Sequence, residues 1–435
     1  MEYYSLNHNA KEVSFLKAVR NGLAPDRGLY FPKEIPRLES NFFTKLHQYS
    51  NHEIALQVIR PYIGNDIPTK ELEKIIEATL SFDFPLIEIT NNIATLELFH
   101  GPTLAFKDVG ARFMARCLSY ANKTQKNEAL TVLVATSGDT GGAVADGFFK
   151  VKGIKVVILY PKGKVSELQE KQLTTLGENV TALEVDGTFD DCQDMVKSAF
   201  IDVELFSKVA LTSANSINVA RWLPQMFYYF FAYKNRPNPN KKLVVSVPSG
   251  NFGNICAGLL AQKMGLPIDH FIASTNINDT VPNYLESGNY TPKKSMQTLS
   301  NAMDVGDPSN FIRIQKIFNN DFFKLKRMLS GYSYTDKETL KALKEIYSLN
   351  NYIADPHGAV GYLGLKEFIE AQEVPDDYQG IFLETAHPIK FSDTVESTLK
   401  TKITLPNPIK DLLNRNKTSL PISNYEDLKE FLIKN

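Results

Sequence analysis

The sequence predicts an α/β protein built around mostly parallel sheet. Three observations predict it. From Ala129 onward, short β-branched apolar runs alternate with segments of helical periodicity. The runs are apolar nearly throughout, as in strands buried between helices. Glycine- and hydroxyl-rich turns follow directly on three of them, where open α/β sheets bind their ligands.

Taken in order, residues 1–90 read as mostly helical with turns. Val13–Arg20 fits an amphipathic helix that Asn21-Gly22 can end, Asp26–Pro32 a turn leading to a short extended piece, and Asn51–Ile63 and Thr69–Leu80 two more helices. This region offers no convergent polar cluster, so its expected role is packing and support. Ile93–Phe99 is a strand, and Val109–Ala121 a helix. Further strands are expected at Leu130–Ala135, Lys155–Tyr160, Val180–Val185, Val209–Thr212, Leu243–Val247 and Phe271–Ala273. Helices are expected near Gly142–Lys150, Ser166–Leu176, Phe189–Phe200, Val219–Lys234 and Gly253–Met264. The polar, proline-rich stretch Asn235–Lys242 marks a domain crossing.

Composition excludes several classes. A chain of 435 residues with 43% hydrophobic residues supports two domains and a large core. A net charge of -1 gives no electrostatic basis for binding nucleic acid or an anionic membrane. No apolar run is long enough to span a bilayer, and Met1–Ser5 lacks the character of a secretion signal. Cys117, Cys192 and Cys256 lie far apart without metal-ligand spacing and are expected as reduced thiols of a cytoplasmic protein. The seven histidines form no paired metal motif. The aromatic run Phe227–Phe231 and Trp222 suit core before interface.

Chemistry concentrates at a lysine and three loops. Lys107, in His100-Gly-Pro-Thr-Leu-Ala-Phe-Lys107-Asp108, stands just ahead of a helix, where partial positive charge disfavours an ordinary lysine but suits one that must lose its proton to form a Schiff base. The bland alternative is a solvated first-turn lysine. Thr136-Ser-Gly-Asp-Thr-Gly-Gly142 follows a strand and offers N–H groups and short donors to a carboxylate or phosphate, or else caps a helix over a tight turn. In Ser213–Asn218, Asn215 and Ser216 can cap the next helix, and Arg221 near its start requires an anionic partner, a ligand or a neighbouring Asp or Glu. Pro248-Ser-Gly-Asn-Phe-Gly-Asn254 has the strand, glycine turn and helix start of a phosphate cradle but neither nucleotide-binding signature. One lysine and several anion sites suit a phosphorylated cofactor attached to lysine, and pyridoxal phosphate meets that description.

These motifs in combination, with Ser5-Leu-Asn7, Val13-Ser-Phe15, Asp355-Pro-His-Gly358 and Glu384-Thr-Ala-His-Pro388, resemble the threonine synthases over nearly the whole chain. The resemblance implies the tryptophan-synthase-β-like fold of pyridoxal-phosphate enzymes, two domains containing parallel sheet with the cofactor between them, plus a mainly helical N-terminal segment. The expected division is an N-terminal domain at 1–90, a large cofactor-binding domain at 91–128 and 236–435, and a smaller mobile domain at 129–235 carrying substrate loops. It implies that Lys107 binds the cofactor aldehyde, that Gly250, Asn251, Phe252, Gly253 and Asn254 surround its phosphate, and that Thr385 places a hydroxyl against the pyridine nitrogen. Asp139 stands where relatives often carry an asparagine facing the 3′-oxygen, which leaves its charge open. Ser137 and Thr140 match the loop for the substrate carboxylate, and Thr136, Asn215, Ser216 and Arg221 the groups around the substrate phosphate.

The implied reaction converts O-phospho-L-homoserine and water to L-threonine and phosphate, with Lys107 carrying protons and the smaller domain closing to exclude water. His357 and His387 read either as proton carriers or as orienting residues. Rival readings are a phospho-lyase giving 2-oxobutyrate, a serine/threonine dehydratase, or a ligand-binding protein without chemistry. The expected assembly is a monomer or homodimer. Plant relatives carry an N-terminal extension linked to activation by S-adenosylmethionine, and because this chain starts with the family's opening segment no such activation is expected.

Overall fold

The computed structural model describes residues 1–125 and 129–434. The expected domain boundary at residue 128 falls on 126–128, outside the described residues.

The N-terminal segment holds helices Phe15–Asn21, Ser40–Thr44, Asn51–Ile63 and Thr69–Thr79, together with a small antiparallel sheet. Its strands are β1 (Glu2–Ser5), β2 (Val13–Ser14) and β3 (Tyr30–Pro32), in the order β2-β1-β3. The mainly helical expectation missed this sheet because strands of two to four residues are too short to display alternation. The segment supports the rest of the chain: the Val19 carbonyl accepts bonds from the Thr212 hydroxyl at 3.2 Å and the Asn218 amide at 2.8 Å.

Two parallel sheets carry the site. In the larger sheet, β4 (Leu86–Thr90), β5 (Ile93–Glu97), β10 (Lys242–Pro248), β11 (His270–Thr275), β12 (Leu329–Ser333) and β13 (Tyr378–Glu384) lie in the order β12-β11-β10-β13-β5-β4, and only the β4–β5 pair is antiparallel. The smaller sheet contains β6 (Leu130–Ala135), β7 (Ile154–Pro161), β8 (Val180–Val185), β9 (Ala210–Ser213) and β14 (Leu420–Ile422), in the order β14-β8-β7-β6-β9 and parallel throughout. All six residues of β6 are buried, as expected for a strand covered on both faces.

Two differences from the sequence reading have clear causes. The segment expected as one helix at Val219–Lys234 is divided into Val219–Trp222, a 3-10 turn at Leu223–Gln225 and Met226–Asn235, because Pro224 cannot donate the helical N–H bond. The tail of the expected 236–435 unit returns to the other sheet. β14 pairs with β8, and Ile422, Leu428 and Leu432 pack with Leu183, Cys192 and Leu205. This burial of a short apolar face outweighs sequence distance. The aromatic run Phe227–Phe231 and Trp222 are fully buried within this one chain, as core.

Candidate active site

Each parallel sheet has a point where strand order reverses, and the site loops flank both. In the larger sheet the chain runs outward from β10 through β11 and β12 and then returns to place β13 on the other side of β10; in the smaller sheet it runs from β6 through β7 and β8 and returns to place β9 on the other side of β6. Crevices form beyond the carboxyl ends of strands at such points. The loops there are 249–254 after β10, 385–390 after β13, 136–142 after β6 and 214–221 after β9.

Lys107 opens the helix Lys107–Gln125. Its loop is pinned to the one after β13: Phe106 N–H donates to the Thr385 carbonyl at 2.9 Å, and His387 N–H to the Leu104 carbonyl at 3.0 Å. Leu104 adopts φ 59° to make this turn. The buried Asp108 carboxylate accepts from the Thr103 N–H at 2.9 Å and from the Thr103 hydroxyl, closing the loop over the helix start. Burial pushes the Lys107 amine down to about 8, with Lys390 and Arg221 acting in the same direction and Asp139 opposing them. A buried amine poised near neutrality is suited to nucleophilic and proton-transfer work, unlike a solvated lysine.

The loop after β6 is shaped by its first hydroxyl. Thr136 Oγ1 accepts from the N–H groups of Gly138 at 2.9 Å and Gly141 at 2.8 Å, so Thr136 builds the turn and is not a free phosphate donor. Gly138 has φ 138°, and a β-carbon there would meet the Gln169 side chain at 2.4 Å. Ser137 and Thr140 remain half-buried at the helix start. Asp139 is buried, ion-paired with Lys390 Nζ at 2.8 Å, and accepts a hydrogen bond from Gln169 Nε2 at 3.0 Å. Burial works against its charge, yet Lys390 and then Lys107 hold the carboxyl well below the usual range. Asp139 is therefore an ionised carboxylate.

Arg221 is 3% exposed, and its Nη1 donates to the Ala214 carbonyl at 2.7 Å while its Nε has no partner. Among the described residues it forms no ion pair; the carboxylate that acts on it electrostatically is Asp108, which is held by Thr103. Asn215 lies in the same loop with a buried, unpartnered Oδ1. The cap of the next helix is Asn218, not Asn215 or Ser216: its side chain accepts from Ala220 N–H at 3.0 Å. Ser216 Oγ instead accepts from Asn310 Nδ2 at 3.0 Å. The fully buried Arg313 fixes this loop from below through the carbonyls of Ser216 at 3.1 Å and Ile217 at 2.6 Å.

In the loop after β10, Phe252 takes φ 59° and helix Gly253–Lys263 starts immediately, aiming its free N–H groups outward. A β-carbon on Gly250 would stand 2.5 Å from the Ala302 carbonyl, so backbone packs on backbone there. The Asn251 carbonyl accepts from Asn310 N–H at 3.2 Å. Asn254 Oδ1 accepts from the Tyr229 hydroxyl at 2.7 Å and leaves a buried Nδ2 unpartnered. Thr385, buried after β13, completes the set.

His357 is an orienting residue. Ala302 N–H donates to its Nε2 at 3.2 Å, so the proton sits on Nδ1, which faces Asp355 at 2.6 Å. It thereby holds the turn that packs on Gly250. His387 likewise has a local role: its Nδ1 accepts from Ile389 N–H at 3.1 Å.

Sequence reasoning missed Lys390, Gln169, Asn218 and Arg313, all buried. For Lys390 the available signal was a lysine two residues beyond Pro388, inside a loop already expected at the site.

The residues gathered there fit pyridoxal phosphate: a depressed amine, a glycine-rich helix start, and buried N–H groups without partners on Arg221 and Asn254. Family models agree with the geometry. Residues 88–384 match the pyridoxal-phosphate dependent enzyme family, 2–80 the threonine synthase N terminus and 358–432 the threonine synthase C-terminal region. The chain is 46% identical to the threonine synthase of Buchnera aphidicola subsp. Baizongia pistaciae, over 100% of both chains. It superimposes on the crystal structure of threonine synthase from Escherichia coli with TM-score 0.93 and 40% identity, covering 100% of each. The PLP-bound threonine synthase structure from Brucella melitensis gives TM-score 0.92 and 35% identity, over 100% of this chain and 99% of that one.

Proposed function

This chain belongs to the threonine synthase family and is a pyridoxal-phosphate enzyme, and we propose that it converts O-phospho-L-homoserine and water to L-threonine and phosphate. Lys107 would hold the cofactor aldehyde, the loop Gly250–Asn254 its phosphate, Thr385 its ring nitrogen, and Asp139 would stand on the side of the ring oxygen. When bound, the cofactor withdraws electrons from the substrate and stabilises carbanions.

The chain's own residues do the rest. Lys107 Nζ takes the α-proton and then a β-proton. Once phosphate has left, one of these goes to the γ-carbon, which becomes the methyl group; water then gives its OH to the β-carbon and its remaining proton to the phosphate, and the second proton held by Lys107 goes back to the α-carbon. Arg221 receives the phosphate as it leaves the γ-carbon, where a buried guanidinium is worth more than in water, and Asn215 would join it through Nδ2, which otherwise donates to the Ala135 carbonyl at 3.4 Å. Ser137 and Thr140 bind the α-carboxylate at the start of helix Asp139–Phe148. Because these groups sit on two sheets, movement of the smaller unit toward the larger one would exclude water until phosphate has departed.

The observation that carries this reading is Arg221: among the described residues, a buried guanidinium with an unpartnered Nε and no ion pair, near enough to Lys107 to act on its amine. A simple dehydratase substrate gives that cation nothing to bind. A phospho-lyase shares it, and product analysis separates the two. Purified protein supplied with cofactor and O-phospho-L-homoserine should release phosphate and threonine in equal amounts, and Lys107→Ala neither. Phosphate with 2-oxobutyrate moves the function to a lyase. No phosphate removes the substrate assignment. All the named side chains come from one chain, so a monomer or a homodimer would carry complete sites. Three buried free thiols fit a cytoplasmic protein.

A further inference from the structure

Lys390 ends the loop after β13 that carries Thr385 and has no role in the reading above, yet it is the most enclosed cation of the site. Its side chain is 0% exposed, and it comes from the short turn Pro388–Phe391 beyond β13. Among the described residues Asp139 is the one carboxylate within ion-pair distance, at 2.8 Å, and Asp139 in turn begins the helix after β6. The pair therefore joins the two sheet units inside the cleft. A buried lysine with one buried partner is costly, since desolvating both ions offsets much of their attraction. Gln169 takes part of the remaining capacity of Asp139.

The charged groups around Lys107 Nζ are Asp139 from helix Asp139–Phe148, Lys390 from the 388–391 turn and Arg221 from helix Val219–Trp222, while Asp108 is occupied by Thr103. Asp139 is the single anion in that set facing the amine. Unopposed, it would pair with Lys107 and keep the amine charged, and a charged amine neither forms a Schiff base nor accepts a proton.

We propose that Lys390 is a positioning residue that captures Asp139 and so leaves the Lys107 amine free to lose its proton. The inference rests on Lys107 being the reacting amine of the proposed function. Its opposite charge to Asp139 matters and its chemistry does not, so arginine should replace it.

The test reads the amine directly, in the full-length chain freed of cofactor. Limiting acetic anhydride labels neutral lysines, and mass spectrometry reports acetylation of Lys107 between about pH 6 and about pH 10. Wild type should reach half-maximal labelling near pH 8. Lys390→Met should raise that midpoint by about one pH unit, an approximately tenfold loss of labelling at neutral pH. Asp139→Asn should lower it. Lys390→Met with Asp139→Asn should return it close to wild type, as should Lys390→Arg, and both of these avoid an unpaired buried charge. An unchanged midpoint in folded Lys390→Met, or a double variant that stays with Lys390→Met, overturns the proposal. Labelling needs neither cofactor nor turnover, so failure of the substrate assignment leaves this result unaffected.

Discussion

Arg221 rests on Gly110: a β-carbon at position 110 would stand 2.5 Å from the Arg221 carbonyl and 3.3 Å from its Nε. Gly110 is three residues beyond Lys107 on the same helix, so the two are neighbours on one face. The helix that presents the amine thus also sets the height of the guanidinium. Gly110→Ala should leave cofactor binding intact and lower kcat/KM about 10- to 100-fold, because sub-ångström misplacement of a charge-stabilising group is expensive. Steady-state kinetics beside a cofactor titration would check this.

Arg221→Gln removes the cation while preserving polar bulk. A hydrogen bond to a charged group contributes about 2–3 kcal/mol, so kcat/KM for the phosphorylated substrate should fall roughly 30- to 150-fold. Inhibition by inorganic phosphate should weaken in parallel, which inhibition constants for both proteins would establish.

His357→Ala releases Ala302 N–H and leaves Asp355 without its buried partner. The turn packed on Gly250 should loosen, and the affinity for pyridoxal phosphate should drop about tenfold, given about 1–2 kcal/mol for a lost buried bond. Cofactor absorbance during titration reads this directly. An unchanged affinity would mean that the turn holds its place without the imidazole.

Burial pushes the His387 imidazole down from 6.5 to about 4. Between these values the unfolded chain binds a proton that the folded chain refuses, so stability rises with pH through that window and is lost on acidification. His387→Asn keeps a side-chain acceptor for Ile389 N–H but removes the titration. Its Tm should therefore decline less than wild type from about pH 6.5 to about pH 4, and thermal melts across that range would show it.

Much of this architecture was legible because parallel strands buried on both faces write themselves as apolar β-branched runs. Leu130–Ala135 and Val180–Val185 are observed with the bounds expected. The loops were legible because glycines and hydroxyls at strand ends have few other uses. Roles within them were less so. Thr136 and Ser216 have the right chemistry for a phosphate, yet Thr136 spends its hydroxyl on its own turn, whereas Ser216 accepts from Asn310 and keeps its O–H to donate. Local sequence does not say which hydroxyls the fold consumes. Arg313 was invisible, and Lys390 was marked only by its place in a site loop, for a related reason: a lysine or arginine is exposed by default, and only tertiary packing buries these two.

The return of the tail to the smaller sheet also has a protective consequence. β14 lies on the outer side of β8, a six-residue strand rich in apolar residues. Without it, Leu183–Val185 would present an open row of N–H and C=O groups, a template on which another chain could add. Residues 420–434 thus act as a guard against self-association, and proteolytic trimming of them would first be noticed as precipitation, before any change in the chemistry itself.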